Sequence, residues 1–293
     1  IQPAKLILVE AELWPCLLRQ CKDRSIPVIQ VNGRVSEKSV QQYGKLPAFF
    51  LWMTESIQQF SMRTQIDADR LLQIGVAKEK VRVTGNIKFD VTQKEDNFQA
   101  GGGADSLILV FGSTRPGEEG PIMEALVELQ KEFPGLIGVI APRHMQRRRE
   151  AEDLIREFKV DYTLLSQLDG LENWTGSLLL VDSLGKLNAF YKSVAVAYIG
   201  GGFNPRFGGH NILEPAALGK PALFGKFMNN FAEEAKLLTQ SGGGIQLQNI
   251  EDLYDVLKRL LMNPDERQKL GQSAEKTVKA NSGALLRNIE LIR

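Results

Sequence analysis

The sequence predicts an α/β protein built on parallel sheets, and three observations carry that expectation. Short apolar, β-branched runs alternate with helix-like segments along the chain. The glycine-rich and polar segments follow the ends of those runs, where open α/β sheets bind their ligands. The composition is ordinarily globular, with 293 residues, 43% apolar and 24% charged.

In chain order, the candidate strands are 5–9, 27–31, 49–53, 81–84, 107–111, 137–141, 178–181, 194–199 and 221–224. Strand 49–53 lies in Leu46-Pro47-Ala48-Phe49-Phe50-Leu51-Trp52-Met53, the richest apolar run. That run is too short to span a membrane and reads as a buried strand. Helical patterns cover 64–74, 119–132, 147–158, 187–192, 212–218 and 230–239, and 250–293 is helical with breaks at Pro264 and Gly283. Residues 93–105 are polar, contain Gly101-Gly102-Gly103, and read as a linker. They separate a first part, 1–92, from a complete-looking α/β domain with C-terminal helices, 106–293. The first part is about half of an ordinary ~150–200-residue domain. The chain starts at Ile1 without Met and enters a strand almost at once, so this domain is expected to begin upstream.

Bulk properties exclude little but do so cleanly. The net charge is +1, which gives no electrostatic argument for nucleic acid. The only cysteines, Cys16 and Cys21, form neither a metal motif nor a disulfide framework and read as reduced thiols. Nothing resembles a signal peptide.

The most specific segment is Gly200-Gly201-Gly202-Phe203-Asn204-Pro205-Arg206-Phe207-Gly208-Gly209-His210-Asn211-Ile212-Leu213-Glu214-Pro215. Glycines let backbone approach a ligand, a helix start favours an anion, and Glu214 can accept sugar hydroxyls. Together these suggest a nucleotide-sugar site, although His210 can be structural and Glu214 can simply complement a helix dipole. Three further post-strand elements join it. In Gly112-Ser113-Thr114-Arg115-Pro116-Gly117-Glu118-Glu119, Ser113 and Thr114 can bond phosphate or merely cap a helix. Pro142-Arg143-His144 puts a guanidinium at a strand end, whereas Arg147–Arg149 read as a solvated helix face. Gly185 permits close backbone approach after 178–181, with an Asp-capped turn as the alternative.

A metal site on His144 and His210 lacks supporting carboxylate or cysteine spacing. Asp67 and Asp69 read as a solvated helix face. In the first part, Glu10 and Glu12 follow a strand and can serve acid–base work or order a substrate, or can be the acidic start of a helix. Lys88, in Gly85-Asn86-Ile87-Lys88-Phe89-Asp90, stands beside the linker, where an ordinary turn and surface lysine is the alternative.

In order, Glu10-Ala11-Glu12-Leu13-Trp14-Pro15, Val31-Asn32-Gly33-Arg34, the 85–90 segment, the 112–119 segment, Pro142-Arg143-His144 and the 200–215 element resemble the 3-deoxy-D-manno-octulosonic acid (Kdo) transferases. The resemblance covers essentially the whole chain, to Asn281-Ser282-Gly283-Ala284. It implies a GT-B glycosyltransferase: two Rossmann-like domains, the first incomplete here, with an interdomain cleft that Lys88 would face. It implies a CMP-Kdo donor, a lipid A precursor as acceptor, inversion, and the cytoplasmic face of the bacterial inner membrane. No metal is expected, because one helix start and one arginine suffice for a single-phosphate leaving group.

On this resemblance Ser113, Thr114, Arg143, His144, Gly185, Gly201, Gly209, Asn211 and Glu214 meet the donor, and Lys88 offsets the Kdo carboxylate. Glu10 and Glu12 support the acceptor side. The family's presumed base, and its membrane-anchoring segment, would lie upstream of Ile1, so the chain as it stands is expected to bind CMP and transfer poorly. The chain departs from the family pattern at Ala11, Cys16 and Lys186. The rival readings are another GT-B nucleotide-sugar enzyme, such as a UDP-sugar transferase or epimerase, and a non-catalytic nucleotide-binding homologue.

Overall fold

The structure, a computed structural model, describes residues 3–91, 107–168, 170, 174, 176–183 and 185–293. It divides into two compact units, Ile1–Asp90 with Asn281–Arg293, and Val91–Ala280. The expected linker 93–105 lies outside the described residues.

The first unit holds a parallel sheet in the order β1 (Leu6–Val9), β2 (Val28–Gly33), β3 (Ile57–Met62) and β4 (Val81–Val83). Helices α1 (Pro15–Asp23), α2 (Glu37–Tyr43), α3 (Pro47–Met53) and α4 (Gln65–Gln73) connect the strands. β2 is buried along its whole length, as a central strand covered on both faces must be. Leu18, Phe50, Ile57, Phe60, Met62 and Leu71 form the core.

Segment 49–53, expected as a strand, is helical, and β3 follows it. Pro47 occupies the first helical turn, where its missing N–H is harmless. Phe50 and Met53, three apart, bury one face of α3, while Phe49 and Trp52 stay exposed. Asp67, expected on a solvated face, is buried. It accepts from Val35 N at 2.8 Å and Thr64 Oγ1 at 2.6 Å, so only Asp69 is solvated.

The second unit is a seven-stranded parallel sheet. Its strands are β5 (Ile108–Thr114), β6 (Ile137–Pro142), β7 (Thr163–Leu164), β8 (Leu178–Leu180), β9 (Val196–Ile199), β10 (Ala222–Phe224) and β11 (Gly244–Gln246). They lie in the order β11-β10-β9-β5-β6-β8-β7. Helices α5 (Glu119–Glu132), α6 (Arg148–Glu157), α7 (Leu187–Tyr191), α8 (Leu213–Ala217), α9 (Ala232–Gln240), α10 (Leu253–Met262) and α11 (Pro264–Asn281) complete it. α5 buries Ile122, Met123, Leu126 and Leu129 at helical spacing against Leu109, Phe111 and Ile140.

Chain order runs from β5 outward through β6, then returns to β9 on the other side of β5. That reversal is a topological switch point, and its crevice opens at the carboxyl ends of β5 and β9.

The last helix, α12 (Ala284–Ile292), belongs to the first unit. Residues 281–293 were expected with the second domain. The pairing that moves them is specific: Asp90 Oδ2 accepts from Leu285 N at 2.7 Å, Arg287 Nε donates to Thr84 O at 2.7 Å, and Asn288 Nδ2 donates to Thr84 Oγ1 at 3.2 Å.

Candidate functional site

The carboxyl ends of β5 and β9 are laced together before any ligand is considered. A register shift between Gly112 and Thr114 in the β5–β6 pairing coincides with φ +56° at Ser113, a backbone costly for a side-chain-bearing residue. Gly200 N donates to Gly112 O at 2.8 Å. Glu118, 4% exposed, accepts from Gly201 N at 2.8 and 3.0 Å with its two oxygens, and from Arg115 N at 2.9 Å. Burial pushes its carboxyl up from the usual range, with those N–H groups opposing. Gly201 itself has φ +83°, and a Cβ there would sit 3.0 Å from the His210 ring. One buried carboxylate therefore holds the turn after β5 against the glycine element after β9.

Above this brace lies a group of cations. Arg115 Nε donates to His210 Nε2 at 3.0 Å, and Arg115 Nη1 lies 2.7 Å from His144 Nε2. Its guanidinium carbon lies 4.6 Å from the centre of the Phe207 ring. Burial first, then Arg143 and Arg147, lower the Arg115 pKa. Arg143 acts electrostatically on His210 and Glu214 as well, and His144 reaches Arg115 directly. Burial pushes the Glu214 carboxyl up, against Asn211 and Arg143, which favour its charge. Asn211 Oδ1 accepts from Leu213 N at 3.1 Å, and its Nδ2 donates to Glu214 Oε1 at 3.1 Å, so the two expected sugar contacts orient each other.

Other predicted residues are placed differently. Thr114 is fully buried and donates its hydroxyl to Glu119 Oε1 at 3.0 Å, behind the site, so it has no face for a phosphate. Gly209, at φ +75°, donates its N–H to Gly201 O at 2.9 Å and closes the glycine element. Gly185, at φ +78°, occupies an open turn before α7. Arg147 is not on a solvated face: it pairs with buried Glu119 at 2.8 Å and with Glu150 at 2.9 Å. Arg148 pairs with Glu152 and lies 3.5 Å from Asp182, whereas Arg149 is exposed.

In the first unit the carboxyl ends of β1, β2 and β3 hold a second cluster. Glu10 and Asn32 both take left-handed backbone, at φ 63° and 54°. Buried Arg63 pairs with Glu10 and donates from Nε to Asn32 O at 3.2 Å. Lys88 Nζ lies 3.6 Å from the same Glu10 oxygen. Asn32 Oδ1 accepts from Ile87 N at 3.1 Å, which ties the Lys88 turn to β2. Glu12 stands apart, exposed, and accepts from Trp14 Nε1 at 2.8 Å. Glu10 and Lys88 are thus brought together, and Glu12 is not.

Sequence reasoning missed Arg63, Arg115, Glu118 and Phe207. Arg63 follows β3, which was not recognised as a strand. Arg115 and Glu118 lie in a segment already singled out, between a strand and a helix. Among the described residues no group of three His, Cys, Asp or Glu is placed to hold a metal ion.

The chain is similar to known proteins in sequence and in fold. Residues 1–91 match the family model described as 3-deoxy-D-manno-octulosonic-acid transferase (kdotransferase). The 3-deoxy-D-manno-octulosonic acid transferase of Haemophilus influenzae is 31% identical over 300 aligned residues, covering 100% of this chain and 70% of that protein. The C-terminal CMP-Kdo binding domain of WaaA from Acinetobacter baumannii superposes with a TM-score of 0.56 at 26% identity, covering 60% of this chain and 90% of that one. The S. aureus MnaA–UDP structure matches in fold alone, with a TM-score of 0.64 at 16% identity over 99% of this chain and 75% of that one.

Proposed function

The chain belongs to the Kdo transferase family, and from that premise we propose that it is an inverting glycosyltransferase that moves Kdo from CMP-Kdo to a lipid A precursor in lipopolysaccharide synthesis. The observation that carries the reading is the convergence of Arg143, His210, Asn211 and Glu214 at the switch point of the second unit. Cations there suit a leaving phosphate, and an oriented carboxylate suits ribose or sugar hydroxyls.

In this reading Arg143, Ser113 and the backbone near Gly185 take the CMP moiety, and Asn211 with Glu214 takes hydroxyls. The leaving charge is met by arginine and backbone N–H groups, so the transfer runs without a metal. Glu10 is engaged by Arg63 and Lys88 and orders the acceptor side instead of taking its proton. Lys88 offsets the Kdo carboxylate. The site of action is the cytoplasmic face of the inner membrane, with peripheral contact. No described helix is long and apolar enough to cross a membrane.

Calorimetric titration of the chain with CMP and with UDP tests the donor assignment. CMP is expected to bind more tightly than UDP. Tighter UDP binding would transfer the chain to the UDP-sugar enzymes, and binding of neither would leave the nucleotide assignment without support.

A further inference from the structure

We propose that Arg115 is an anion-recognising residue of the donor site, and that His144 and His210 are positioning residues that aim its guanidinium. The inference rests on the donor-binding reading of the second unit.

The chemistry of the contacts fixes the roles. A guanidinium only donates hydrogen bonds. The His210 Nε2 at 3.0 Å and the His144 Nε2 at 2.7 Å must therefore both accept, with each ring proton on Nδ1. Both lone pairs point into Arg115, so neither Nε2 is left for a metal or for proton transfer. Phe207 covers a face of the guanidinium. Two edge contacts and one face contact fix a side chain that would otherwise lose much rotamer freedom on binding a ligand.

The charge acting on Arg115 is mostly positive, with Arg143 and Arg147 set against Glu118. Arg147 has Glu119 and Glu150, and Arg148 has Glu152. Among the described residues no carboxylate forms an ion pair with Arg115 or Arg143. Glu118 acts on Arg115 electrostatically but spends its hydrogen-bonding oxygens on the N–H groups of Gly201 and Arg115. Arg143 and Arg147 act on Arg115 as like charges; like charges raise one another's energy, and an anion bound at Arg115 relieves it. The bonds to the histidines use Nε–H and one Nη1 hydrogen, which leaves the second Nη1 hydrogen and both Nη2 hydrogens to donate to a phosphate or a carboxylate. CMP-Kdo carries one of each.

Binding of cytidine, CMP and CMP-Kdo by calorimetry separates the two anions. Arg115→Gln is expected to weaken CMP binding about ten- to a hundredfold, the range of a lost charge-assisted hydrogen bond, with cytidine affinity unchanged. That result assigns the phosphate. Unchanged CMP affinity with CMP-Kdo binding weakened by a similar factor assigns the carboxylate. Equal losses for cytidine and CMP, or no change with any ligand, would overturn the proposal.

The positioning role has its own readout. His144→Phe, which cannot accept, should weaken binding of the same ligand about two- to tenfold, and His144→Gln, whose amide oxygen can accept, should restore most of it. Equal losses in both variants would remove that role. A wild-type chain without CMP affinity that still bound inorganic phosphate through Arg115 would sink the donor-site reading and leave anion recognition by Arg115 standing.

Discussion

His210 sits half-buried at the centre of the cation group, and burial, with Arg115, Arg143 and His144 adding to it, lowers its pKa from 6.5 to about 4. Between those values the unfolded chain binds a proton that the folded chain refuses. The contribution to stability is therefore complete above 6.5 and is lost as the pH falls toward 4. Only near and below pH 4 does the folded state take up the proton, and it then breaks the Arg115 contact, since a protonated Nε2 would donate into a donor. His210→Gln keeps an acceptor and removes the titration. Melting curves from pH 7 to pH 4 are expected to fall less steeply for the variant than for the wild-type chain. Parallel curves would mean that His210 titrates alike in both states.

At the scale of elements, the site depends on how closely the turns after β9 and β10 approach. Phe227 N donates to Gly202 O at 2.8 Å, and a Cβ on Gly202 would lie 2.6 Å from Gly225 N. The obstacle is backbone, which cannot swing aside as a side-chain end would. Gly202→Ala is expected to destabilise the chain by about 1–3 kcal/mol, the usual range for overpacking, as read by urea unfolding. An unchanged midpoint would show that the two turns separate freely. The glycines themselves were legible in the sequence because they follow a plainly apolar strand. Parallel strands buried on both faces read as continuous apolar runs, so β5, β6, β8, β9 and β10 could be found. β3 could not, because Gln58, Gln59 and Ser61 interrupt it, and its loss hid Arg63, which follows it. α3 was misread because a run of adjacent apolar residues carries neither period. Arg115 and Glu118 stood in a recognised segment. Their partners, Gly201 and His210, lie 83 and 95 residues further on, and no local pattern reports a contact of that range.

For the molecule as a whole, the telling feature is that the chain leaves its first unit at Asp90 and comes back to it at Asn281. Asp90 meets the returning chain directly, accepting from Gly283 N and Leu285 N at the start of α12. Asn288, 2% exposed, donates to Thr84 Oγ1 at 3.2 Å and to Ala284 O at 2.7 Å, and its Oδ1 accepts from Ser61 Oγ. Ser61 is on β3, and Thr84 follows β4, so one amide ties the last helix to the edge of the first sheet. Burial makes each lost partner expensive, because the polar atoms left behind have no water to turn to. Asn288→Ala is expected to cost about 1–3 kcal/mol, and the loss should be confined to one unit. Hydrogen exchange resolves it: amides of β3 and β4 should exchange faster in the variant, while those of β5 and β6 keep wild-type protection. Faster exchange in both units would mean that they unfold as one cooperative body. Unchanged exchange in β3 and β4 would mean that α12 adds nothing to the stability of the sheet it touches.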